Sequence, residues 1–85
     1  MTTTPSDLQQ RLQPLVESAT NAQGHAKQAA EVLANARALT ERMPTEEMLQ
    51  SQPARLLVAR ELARKARKEL KETAKGLTAL IDSLL

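Results

Sequence analysis

Apolar residues recur along this chain at alternating spacings of three and four. In the first half the stripe runs Leu8, Leu12, Leu15, Ala19, Ala22, Ala26, Ala29, Leu33, Ala36, Thr40, Met43. In the second it runs Leu56, Ala59, Ala63, Ala66, Leu70, Thr73, Leu77, Leu80, Leu84. This is the a/d pattern of a heptad, which keeps one seam of a helix turned toward a neighbour. The pattern predicts two long helices, and Ala, Leu, Arg, Lys and Glu, all strong helix formers, dominate both.

Local signals set the expected boundaries. Residues 1–4 are polar and predicted to fray, and Thr4-Pro5-Ser6-Asp7 reads as a helix start. Thr4 is the N-cap there, Pro5 occupies the first helical position, and Asp7 faces the unpaired amides. The first helix is expected over residues 5–43. Pro14 removes an amide and crowds the carbonyl of Gln10, which predicts a kink or a break between residues 10 and 14. Pro44 ends the helix. Thr45 then caps a short helical turn over residues 45–50, with Glu46 and Glu47 at its positive end. Ser51-Gln52-Pro53 reads as a second start, leading into a long helix over residues 53–84.

The fold class that follows is all-α: one domain, residues 1–85, built as an antiparallel two-helix hairpin with an Ala-rich seam and a short connecting turn. A connection of about ten residues favours antiparallel neighbours. The seams match best with Met43 opposite Leu56, Leu33 opposite Ala66, Ala29 opposite Leu70, Ala22 opposite Leu77 and Leu15 opposite Leu84, which sets large residues against small ones at several of the levels. This register leaves apolar residues over. Val32, Leu39 and Leu62 fall on one flank near the loop, where the turn at 45–50 is one possible cover. Val16 and Ile81, with Leu85 close by, fall on the other flank at the open end, where residues 1–13 hinged at Pro14 could cover them. Two helices bury little surface, so completion to a bundle by self-association or by a partner is expected.

Composition narrows the chemistry. The chain has 85 residues, no cysteine and no aromatic residue. Thiol chemistry and thiolate metal sites are therefore excluded, and the usual anchors of cofactor pockets and base-stacking surfaces are missing. No cofactor is expected. No apolar run approaches the roughly 18 residues of a membrane span, and a reducing cytoplasm is the expected compartment. His25, the single histidine, lacks the companions a transition-metal site needs and is placed on a flank near Glu69 or solvent. No Ser/His/Asp arrangement or phosphate-cradling glycine loop is apparent, so the chain reads as non-enzymatic. Gly76, in a strong helical stretch, is either neutral or a point where another helix approaches closely.

Charge is uneven although the net is only +2. Between Ala54 and Gly76 stand eight basic residues against three acidic ones. In the expected register Arg37, Arg60 and Arg67 share an edge, with Arg64 and Lys71 on the adjoining face. Guanidinium groups in that arrangement suit carboxylates of an acidic protein. The functional expectation is a small protein-interaction module (an adaptor, a chaperone-like protein or a regulator) that engages a protein partner or its own copy. Its contact residues would be Arg37, Arg60, Arg64, Arg67, Lys71, Val16, Val32, Leu39, Leu62, Ile81 and Leu85. The alternative is a nucleic-acid-binding accessory protein whose basic face, with Lys68 added, meets phosphates.

Overall fold

The computed structural model describes residues 4–85, and the expected fraying of residues 1–3 lies outside them. Two α-helices, α1 (Pro5–Arg42) and α2 (Glu46–Leu84), form an antiparallel hairpin with principal extents of 65 × 16 × 14 Å. No strand is present among the described residues. The caps are those the residue types dictate. Thr4 Oγ1 accepts the Asp7 amide at 3.1 Å and Thr45 Oγ1 accepts the Met48 amide at 3.2 Å. Only Met43, Pro44 and Thr45 lie between the helices, with the Met43 amide bonded to the Leu39 carbonyl at 2.9 Å.

Neither half of the chain is broken at its internal proline. α1 runs unbroken through Pro14, and the segment 45–50 merges with the long helix so that Pro53 lies inside α2. The carbonyls these prolines leave without a helical donor belong to Gln10 and Leu49, both on exposed positions. Solvent can take up the bond there, so the helix continues past the proline. Without a hinge, residues 5–13 extend α1 and do not fold over the open end.

The shorter loop slides the register. Leu15, expected beside Leu84, packs on Gly76, eight residues earlier, a shift of about 12 Å along the helix. Bonds crossing the hairpin agree with this. Ser18 meets Glu69 and Thr73, His25 meets Glu69, and Gln52 meets Ala36 and Thr40. A Cβ on Gly76 would meet Leu15 Cδ2, so the glycine does serve close approach, but to its own hairpin mate.

The seam is also rotated. One line of each expected stripe is in place: Leu15, Ala22, Ala29 and Ala36 on α1, and Ala59, Ala66, Thr73 and Leu80 on α2 are buried or half-buried. We label this line a. The second buried line, d, is Ser18, His25, Val32 and Leu39 with Arg55, Leu62, Glu69 and Gly76. The residues expected to form it belong instead to position e, on the far side of a. Leu12, Leu33, Leu56, Leu70, Leu77 and Leu84 are exposed by between 39% and 55%. Met43, also expected in the seam, is exposed in the loop.

The core is correspondingly thin. Its fully buried members are Ala22, Ala29, Ala36, Ala59 and Ala66 plus Met48 and Leu80, and none is polar. Met48, from the first turn of α2, plugs the loop end, where Thr40 Oγ1 lies 3.9 Å from its Sδ. That turn leaves Leu49, Leu57 and Val58 about half exposed. Gly24 sits on the outer face of α1 with no atom within 4 Å of a built Cβ. Gly24→Ala is therefore expected to stabilise the protein by about 1 kcal/mol through helix propensity alone, read from urea unfolding followed by circular dichroism.

Candidate interaction surface

Because the two helices are antiparallel, their e positions lie on one side of the hairpin. Ala26, Ala30 and Ala63 with the a-line Ala29 and Ala66 floor a groove there, and Leu33, Leu70 and Arg67 edge it. The neighbouring b positions widen the apolar surface at the open end, where Val16 and Ile81 are 57% and 53% exposed. Val16 and Ile81 thus lie on the same side of the hairpin as the leucines of position e. Leu85 is fully exposed at the end of α2. Val32, Leu39 and Leu62 require correction. They are half-buried in the d seam, inside the hairpin, and so are unavailable to a partner.

The opposite side is different in kind. Its α1 positions next to d are Asn21, Gln28, Asn35 and Arg42, which solvent satisfies. One face of the hairpin is thus apolar along its length and the other is polar over most of α1. Exposed apolar side chains are thereby gathered on one side of the hairpin.

The basic residues divide. Arg60, Arg64, Arg67 and Lys71 follow one another at spacings of four, three and four, a single stripe on the outer side of α2. Arg64, Arg67, Lys68 and Lys71 line a shallow cleft there. Arg64 bonds Glu61 at 3.3 Å, whereas Arg60, Arg67 and Lys71 have no ion pair among the described residues. Arg37 does not belong to the group. The slid register sets it nearer the loop, and its Nε bonds Glu41 at 3.2 Å on a side chain 84% exposed. Such surface pairs stabilise little.

Polar side chains inside the seam form the third feature. His25 Nδ1 faces Glu69 Oε1 at 2.5 Å, with side chains 32% and 19% exposed. Ser18 Oγ donates to the Glu69 carbonyl at 3.0 Å. The Thr73 hydroxyl lies 2.6 Å from Ser18 Oγ and 2.8 Å from that carbonyl, and its single proton serves one of them. At the loop end Gln52 Nε2 donates to the Ala36 carbonyl and to Thr40 Oγ1, each at 2.8 Å. The serine hydroxyl is directed at backbone and threonine, not at the imidazole, so these residues compose no nucleophile–base pair. They bridge the two helices at seam positions, where polar residues in coiled coils specify register. Among the described residues no cluster of three or more His, Cys, Asp or Glu could hold a metal, and no helix is long and apolar enough to cross a membrane.

No protein-family model, curated protein sequence or solved structure matches the chain.

Proposed function

We propose that this protein is a non-enzymatic interaction module. Its apolar face docks on another protein chain, and its Arg60-Arg64-Arg67-Lys71 stripe engages an acidic protein surface. The uncovered leucines of position e carry this reading. The hairpin exposes 6808 Å², against about 5,000 Å² for a compact protein of its mass. Its radius of gyration is 19.2 Å, against about 12 Å for a compact chain of its length. A rod two helices wide has no way to bury a third apolar stripe within itself.

Cations on the stripe support the second half of the reading. A carboxylate-bearing surface gains bidentate contacts with the arginines and relieves their mutual repulsion. The test is affinity purification from the native host with the wild-type chain and with Arg64→Glu/Lys71→Glu. These residues are exposed, so the hairpin tolerates the change. An acidic protein is expected with the wild type and lost from the variant, and an unchanged set of co-purifying proteins would refute the reading. The four-cation cleft also favours a second possibility, a nucleic-acid backbone. Four phosphate contacts would weaken duplex DNA binding about 150-fold over a fourfold rise in salt, and such a slope, abolished by the same variant, would establish it.

A further inference from the structure

We infer that the occupant of the apolar e face is a second copy of this chain, laid face to face to complete an antiparallel four-helix bundle. The inference rests on the interaction reading above and names one of its partners.

Area is the first ground. The hairpin is 65 Å long and 16 × 14 Å in section, so one face has a footprint of roughly 1,000 Å² and two faces together bury about 2,000 Å², where obligate dimer interfaces begin. The gap to be closed is larger still. Each separate hairpin exposes 6808 Å², whereas a compact protein of two chains' mass exposes about 8,200 Å² in total.

Shape is the second. The e stripe runs from Leu12 to Leu33 on α1 and from Leu56 to Leu84 on α2, nearly the whole hairpin. Whatever covers it needs an apolar stripe of equal length and width, and this chain carries one. Positions a and e, with Val32, Leu39 and Leu62 of position d, make an apolar face broader than the two-sevenths seam of an isolated pair. The Ala26, Ala30 and Ala63 floor lets opposing backbones approach closely.

Charge selects how the copies lie. A two-fold axis running across the helices would set α2 on α2, each with eight basic and three acidic residues between Ala54 and Gly76, and like charges would face each other. A two-fold along the helices sets α1 of one copy on α2 of the other. α1 is balanced, with Arg11, Lys27, Arg37 and Arg42 against Asp7, Glu17, Glu31 and Glu41, so this arrangement avoids the repulsion. Arg64 and Lys71 then point away from the interface and stay free for an acidic partner.

Sedimentation equilibrium of the full chain tests the dimer. The wild type is expected at twice 9.3 kDa, with a melting temperature that rises with concentration. Leu33→Gln/Leu70→Gln removes four leucines from the interface and is expected to weaken the dimer by at least roughly 100-fold. Both residues are already half exposed in the hairpin. If the variant nevertheless unfolds, the wild type must lose helix on dilution through the same transition. A wild type that stays monomeric and helical up to about 100 μM overturns the inference, as does a variant with unaltered mass. The chain has no cysteine, so mixed Leu33→Cys and Leu56→Cys chains test the arrangement. These residues stand at one level of the hairpin, and a mixed disulfide is expected in excess over both homodisulfides. Its absence overturns the arrangement. A monomer that still loses its acidic partner on charge reversal at Arg64 and Lys71 refutes the dimer alone. A dimer indifferent to that reversal refutes the acidic-partner reading alone.

Discussion

Leu80→Ala is expected to destabilise the protein by about 2–5 kcal/mol, the range for deleting a buried leucine side chain. The loss is a large fraction of what a small domain possesses. Leu80 is 6% exposed and, with Met48, one of two buried residues larger than alanine. It lies at the open end, at the level of Leu8, Leu12 and Leu15 of α1, none of which is buried. The predicted outcome is a lowered urea midpoint and fraying confined to the open end. Hydrogen exchange would show this as faster exchange in residues 5–15 and 77–84 than near Met48. A variant with the wild-type midpoint would show that Leu80 is not the clasp of that end.

The reverse substitution tests the middle of the hairpin. Ala66→Leu is expected to cost about 1–3 kcal/mol through overpacking. Ala22, Ala29, Ala36, Ala59 and Ala66 are each at most 7% exposed, so the backbones are held as close as methyl groups permit. A leucine there must push the helices apart. The separation would strain the His25–Glu69 contact at 2.5 Å and the Ser18–Thr73 bond at 2.6 Å, which depend on that closeness. The contrast with Ala34→Leu is the sharper readout. Ala34 is exposed on the outer face of α1, away from both the seam and the e face, so the added side chain leaves the protein nearly unaffected. Equal losses from the two substitutions would mean that the seam does not run along the a line.

How much of this was legible depends on which physical cause acted locally. Caps were legible because a threonine before Pro5 and another before Glu46 each supply an oxygen for amides that have no other partner. Proline positions were not, because a proline breaks a helix only when the orphaned carbonyl lacks a substitute. At Gln10 and Leu49 solvent supplies one. That misreading of Pro53 lengthened the loop, and the longer loop displaced the register. The rotation of the seam has another origin. Position e holds more leucine than position d, so apolar periodicity alone favours e. The contrary signal lay in pairs: Ser18 with Thr73, His25 with Glu69, Thr40 with Gln52 and Leu15 with Gly76 all meet in one antiparallel register. A reading of each helix by itself cannot weigh such pairs.

By itself the sequence determined that there are two long helices, how the first begins, that alanines line their contact, and that cations crowd α2. These follow from interactions within a few residues. Only the tertiary structure decided which side of the alanine line faces the mate. Burying a and e would gain more apolar contact than burying a and d, yet hydrogen bonds across the gap and a three-residue loop go with the latter. That choice turns the leucines of position e outward and leaves the hairpin with an apolar face still to be covered.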